Sequence, residues 1–366
     1  VTSFAAELRT GRHLVARRKP AMNPCLSLSL FVLSFLMLVM PARADVLAGK
    51  ICEGGCDRFR TISIFGDAMN GNTEPLSLLG GPTQSGLLDA SAMVYDAGEK
   101  TVLVADFFGQ KIHVFPADAR GDVAPLRSFS SPQMGQPRNV VRATGHDEYI
   151  ALSSNFVLAF ARNATGSTAP LRSTTFAPTV IDNASGLAYL PASDEVAVGD
   201  YQDLGGNQSG GEVLIFPRTI SGAPVASRRI AGPSTQLGSF VNSLAVDPAH
   251  NELFVLVTDA DARSRIVVFP VGADGNVAPL RVIGGNNTRM TNAGGLDYYA
   301  FRDELLVASG AFNSAATRVL GFARTAQGDV APNRDISGPN TGVSPASGWL
   351  AVVGVPLALV FGDGFE

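Results

Sequence analysis

The stretch RIVVFPVGADGNVAPLRVIGG at residues 265–285 decides the fold. An apolar run closes on Phe269-Pro270, a polar loop with glycine follows, and Ala278-Pro279 leads into a short Leu280-Arg281-Val282-Ile283 segment. The same sentence returns as KIHVFPADARGDVAPLRSF (111–129) and RVLGFARTAQGDVAPNRDISG (318–338). Worn forms stand at FVLAFARNATGSTAPLRS (156–173), EVLIFPRTISGAPVASRRIAG (212–232) and TISIFGDAMNGNTEPLSLLGG (61–81). The six phenylalanines, 65, 115, 160, 216, 269 and 322, are spaced by 50, 45, 56, 53 and 53 residues. That period suits one four-stranded propeller blade per repeat.

A second unit lies between successive Phe-Pro sentences and is clearest in NSLAVDPAHNELFVLVTD (242–259). Its alternating apolar positions, interrupted by Asp-Pro-Ala-His-Asn, predict two strands joined by a hairpin turn. Counterparts begin at Ser91, Asn139, Ser185, Gly294 and Ser347. Proline after the phenylalanine stops the third strand, and the Gly-Asn/Asp-Val-Ala-Pro loop turns the chain back to a fourth. The expected fold is all-β: a six-bladed β-propeller with four antiparallel strands per blade, the last blade closed by N- and C-terminal strands. The first unit (60–81) reads as the outer two strands of that blade and the last (347–363) as its inner two. Such closure leaves no unpaired inner edge. Arg127, Arg172, Arg229, Arg281 and Arg334 recur on the outermost strand and read as charged guards of an exposed edge.

Ahead of the repeats, Arg17, Arg18 and Lys19 precede an apolar run (26–40) that ends at Pro41 and Ala42-Arg43-Ala44. This is the pattern of an export signal cleaved before Asp45. The run falls short of the roughly 20 residues that span a bilayer, so no stable membrane span is expected after cleavage. The domain reading is therefore a leader and signal peptide over 1–44 and a single propeller over 45–366, secreted or periplasmic and monomeric. Cys52 and Cys56, in ICEGGC, read as a local disulfide in an oxidising compartment. The formal charge of −4, with only 16% charged residues, provides no basic surface for nucleic acid.

The small residues before the first hairpin strand (Ser-Gly-Leu-Ala at 185, Asn-Ser-Leu-Ala at 242), followed by a turn and Leu-x-Val, resemble the NHL-type repeat of six-bladed propellers. The Val-Phe-Pro…Gly-Asn-Val-Ala-Pro-Leu-Arg sentence resembles secreted bacterial repeat proteins of that class. The resemblance implies a fold rather than an activity.

In a propeller, the connections before the first strand and after the second surround one mouth of the central channel. Arg138, Asn183, Asn242 and Asn292 fall before first strands, and Asp106, Asp200 and Asp259 end second strands; these seven are the candidate ligand-binding residues. No catalytic residue and no metal ligand is assigned, and no cofactor is expected. The innermost ring reads as neutral and small, without Asp or Glu, whereas a hard cation such as Ca2+ needs several oxygens with carboxylates among them. The Gly-rich GNQSGG (206–211) reads as a surface loop, since it lacks the helix N-terminus that makes such loops hold phosphate. The functional expectation is a non-enzymatic module binding an unknown protein or carbohydrate through the channel mouth. Its alternative is a metal-dependent extracytoplasmic hydrolase or lactonase of gluconolactonase-like type.

Expressed with its leader in a host that exports it, the protein is expected to begin at Asp45, with Cys52 and Cys56 resistant to alkylation until reduced. N-terminal sequencing and intact mass check both, and recovery of chains that retain residues 22–44 contradicts the cleavage.

Overall fold

The computed structural model describes residues 44–50, 61–153, 156–177, 180–181, 183–205, 208–310, 317–343 and 350–356. The signal segment, Cys52 and Cys56 lie outside them. The fold is a six-bladed β-propeller of antiparallel four-stranded blades, as expected. Among the described residues, helical structure is confined to three 3₁₀ turns, Pro233–Thr235, Asn286–Thr288 and Pro339–Thr341.

Blade 1 closes the ring, but with a different division of strands from the one expected. Its inner strand, Leu350–Pro356, comes from the C-terminal region, and Ala44–Lys50, Ile62–Gly66 and Ser77–Leu79 supply the other three in order outward. The register runs Asp45↔Val355 and Leu47↔Val353 on one side and Val46↔Phe65 on the other. Ala44–Lys50 sits directly after the signal and has no hairpin partner beside it in sequence, so the periodicity of the repeats does not reveal it. The expected second C-terminal strand lies outside the described residues.

Blades 2 to 6 follow the repeat, with inner strands Ala92–Asp96, Asn139–Ala143, Gly186–Leu190, Phe240–Asp247 and Gly295–Tyr299. In blade 4 the second and third strands, Glu195–Gly205 and Gln208–Pro217, pair as a long hairpin, so that residues 208–211 of the Gly-rich stretch expected to be a loop lie in a strand.

Each repeat phenylalanine is fully buried and packs against the preceding blade. Phe115 joins Leu47, Ile62 and Ile64 of blade 1, Phe269 joins Ala197 and Ile215 of blade 4, and Phe65 joins Leu306 and Val319 of blade 6. The six apolar cores are thus the six seams between blades, and truncating one such ring costs about 3–5 kcal/mol.

The loop glycine of the repeat makes a second seam contact. Gly71, Gly121, Gly166, Gly222, Gly275 and Gly328 all take φ between 64° and 76°, and each pairs in parallel with the outer strand of the preceding blade. At Gly275 the N–H donates to the Arg229 carbonyl (2.8 Å) and the carbonyl accepts from Ala231 (3.3 Å).

The recurring arginines do not stand free on the edge. Arg172, Arg281 and Arg334 clamp Glu148, Glu252 and Glu304, which open the second strands of their own blades, at 2.5–3.1 Å. In blade 4 the equivalent residue is Arg228, bonded to Glu195, and not Arg229, because Ile215 pairs with Arg228 as Val268 pairs with Arg281. Arg127 bonds Glu99 at 2.5 Å.

Gly275→Val is expected to lower stability by about 1–2 kcal/mol, because a side chain at that φ is strained even in open space. Gly272→Ala, in the same turn with an ordinary backbone and nothing within 4 Å of the added carbon, is expected to stay within about 0.5 kcal/mol of the parent. Urea denaturation of the two variants checks the difference.

Candidate ligand-binding channel

The six inner strands surround a channel of about 670 Å³. Of the seven residues singled out from sequence, Arg138, Asn183 and Asn242 line it. Asn242 is nearly buried and donates to Thr258 Oγ1 (2.7 Å) and to the Ala293 carbonyl of blade 6 (2.8 Å), so it ties two blades at the rim. Arg138 donates to Asn183 Oδ1 and to the Ala184 carbonyl (3.0 Å). Burial lowers its pKa, and the charge of Asp200 opposes that shift.

The other four are not among the channel-lining residues. Asp200 is fully buried and accepts the Asn183 N–H at 2.8 Å. Asp259 pairs with Arg265. Asn292 sits at φ 43° in a turn, donating its N–H to the Ala262 carbonyl. Asp106, also fully buried, accepts N–H bonds from Leu88 (2.9 Å) and Gly109 (2.7 Å) and lies 3.2 Å from His113 Nε2. These carboxylates are committed to holding the loops of the mouth.

Asp89 completes the arrangement in blade 2. It accepts the Phe107 (2.7 Å) and Phe108 (3.2 Å) N–H groups, which fixes the two aromatic residues at the mouth. Burial, reinforced by the nearby Asp106, pushes its carboxyl up to about 7. The outcome is a Phe107–Phe108 pair, edge to face at 5.2 Å, with Phe107 lining the channel.

The inner ring is not free of acids, which corrects the expectation from sequence. Asp96 and Asp297 both line the channel. Asp96 lies at the end away from the mouth, where burial works to raise its pKa; Arg162 (2.6 and 2.8 Å) and the Tyr149 hydroxyl (2.9 Å) override it, and the net shift is downward. Arg142 adds a further ion pair at 3.2 Å. Asp297 stands mid-strand and accepts the Gly354 N–H at 2.8 Å across the seam to blade 1. Burial pushes its carboxyl up to about 6. The expectation rests on the residues that precede first strands, and Asp297 stands three positions past Gly294, inside one.

No family model and no curated protein matches the chain. Among solved structures, the chain is similar to one in a crystal structure of a Nidogen/Laminin complex, with a TM-score of 0.53 at 11% identity over 85% of this chain and 98% of that one. It is also similar to the β-propeller domain of Cps50 (Swd1) from Myceliophteria thermophila (TM-score 0.46, 13% identity, 76% and 80% covered). A third similar chain is Raptor from Chaetomium thermophilum (TM-score 0.47, 17% identity, 72% and 21% covered). At these identities the likeness is one of fold.

The raised Asp89 carboxyl predicts a pH dependence. An acid whose folded pKa exceeds its unfolded value of 3.8 contributes most below that value and loses its contribution as pH rises through the folded pKa of about 7. Asp89→Asn is therefore expected to flatten the decline in stability between pH 4 and 7, by up to about 4 kcal/mol. Denaturation midpoints of parent and variant at pH 4.5 and 8 check it.

Proposed function

We propose that this chain is an exported, NHL-type propeller that acts as a non-enzymatic recognition module and receives a protein partner on the mouth face of its ring. The observation that carries the reading is a set of large apolar side chains held out on that face. Phe108 is 42% exposed, Leu88 37% and Phe240 37%. Phe240 stacks edge-on against Tyr201, where the long hairpin of blade 4 begins, with centroids 5.1 Å apart. Aromatic anchors presented on a fixed backbone are what protein interfaces concentrate.

Other exposed aliphatic residues, Leu76, Leu126, Leu171 and Leu280, directly precede the outer strands of four blades around the perimeter. Scattered singly, they need no partner. The hydrolase reading would draw on Asp106, Asp200 and Asp259 for a cation, and those groups are engaged by backbone N–H donors or arginine. The similar chain in the Nidogen/Laminin complex was crystallised in a protein assembly, which agrees with this use of the fold. Cleavage before Asp45 would leave the second strand of blade 1 intact but for its first residue.

Immobilised protein is expected to retain a partner from the extracytoplasmic fraction of its own source. The Leu88→Ser/Phe108→Ser/Phe240→Ser variant should lose it, and Leu126→Ser/Leu280→Ser should keep it. Loss by both variants, or binding on a glycan array instead, overturns the protein-partner reading. A melting temperature that falls on chelation would move the assignment to the metal-dependent hydrolase.

A further inference from the structure

Asp297 is level, by strand register, with Val94, Val141, Ala188, Ala245 and Val353 in the other five blades, each opposite the residue that pairs one position before the repeat phenylalanine. The equivalent residue is aliphatic in all five other blades, and Val94, Val141, Ala188 and Ala245 line the channel as Asp297 does, so the fold does not require an acid in the sixth. The carboxylate caps the Gly354 N–H, yet among the described residues no Lys, Arg or His forms an ion pair with it. The cations that do line the channel are otherwise engaged: Arg142 and Arg162 hold Asp96, and Arg138 holds Asn183 beside Asp200.

We propose that the channel binds an organic cation, with a protonated amine seated against Asp297 and an apolar body filling the surrounding lumen. The space of about 670 Å³ lies within the range of small-molecule sites, roughly 300–1,000 Å³. One carboxylate amid the aliphatic side chains of Val94, Val141, Ala188 and Ala245 cannot supply the several oxygens that a hard metal ion takes. It does match a ligand with one charged donor and an otherwise hydrophobic surface. Tyr95, Tyr189 and Tyr298 line the channel one residue farther toward the end away from the mouth, and add aromatic surface suited to an alkylammonium. This inference is independent of the partner proposed for the mouth face.

The test is calorimetric titration of the intact protein at pH 7.5 with hexylammonium and with 1-hexanol, which share shape and differ in charge. Hexylammonium is expected to bind about tenfold more tightly, the size of one charge-assisted hydrogen bond. Asp297→Asn retains an acceptor for Gly354 and should bring the two ligands to equal affinity without changing that of hexanol. Equal binding in the parent, no binding of either probe, or a preference that survives the substitution overturns the proposal. A second measurement needs no variant: saturating hexylammonium should move the Asp297 carboxyl titration, followed by NMR, downward from about 6. The titratable neighbours on the same strand are Tyr298 and Tyr299, and Tyr299 in turn feels Arg334, Asp45 and Glu304 besides Asp297. An unmoved Asp297 titration also overturns the site.

Discussion

The seam between neighbouring blades depends on a clasp built from the loop glycine and the residue after it. The glycine takes a left-handed conformation that other residues reach only at a cost, which turns its peptide toward the outer strand of the preceding blade. Where the next residue is Asn or Asp, its side chain accepts N–H groups from the turn that leads out of that strand. Asn72 accepts from Asn340, Asn276 from Ser234 and Asp329 from Asn287, at 2.7–2.9 Å, and Asp122 accepts from Thr83, Gln84 and Ser85. The phenylalanine of the same repeat fills the apolar side of the same seam. One sentence of sequence thus writes both the outer edge and the inner packing of a joint, and Gly71 of blade 1 pairing with Ile336 of blade 6 extends the rule around the closure.

On the face away from the mouth, charge does comparable work. Of the glutamates that open second strands, Glu148, Glu252 and Glu304 each take a bidentate arginine from the outer strand, Glu195 takes a single bond from Arg228, and two of them take another arginine from the following blade. Glu148 is held by Arg172 and Arg218, and Glu252 by Arg281 and Arg324. The second arginine stands two residues past the phenylalanine, as in Phe216-Pro217-Arg218 and Phe322-Ala323-Arg324. These pairs lie largely out of solvent, where removing one partner strands the other, so they matter more to the register of the seams than surface ion pairs would.

The architecture was legible because its determinants are local and repeated. A glycine that must turn, a proline that must stop a strand and an aromatic that must be buried recur at a fixed spacing, and six copies overrule the wear in any one. Legibility failed where the determinant is a contact between distant segments. Nothing near Ala44–Lys50 announces a strand whose partners are Ile62–Gly66 and Leu350–Pro356. Arg229 and Arg228 are indistinguishable until the pairing of Ile215 chooses one. Asp106 and Asp200 stood at the right height for a mouth residue, but their partners, the N–H groups of Leu88 and Asn183, turn them to the scaffold. Height along the ring could be counted from sequence, and direction could not.

In a repeat protein, a position that obeys the pattern is explained by the ring, so what distinguishes this chain is concentrated where a blade departs from its siblings. Three departures fall on the channel and its mouth. Blade 2 replaces a polar second-to-third connection with Phe107-Phe108 and secures it with a carboxyl pair. Blade 4 lengthens the same connection into a hairpin, with Tyr201 at its base packed on Phe240. Blade 6 exchanges an aliphatic wall residue for Asp297 and seats it against a glycine, 354, whose own side-chain space is taken by Tyr299. None of these is needed to close six blades, and each has a stability cost: exposed aromatic surface, a long hairpin, or a carboxylate driven toward neutrality. Features that the scaffold tolerates without requiring are where recognition is to be sought, and here they converge on one face and one lumen.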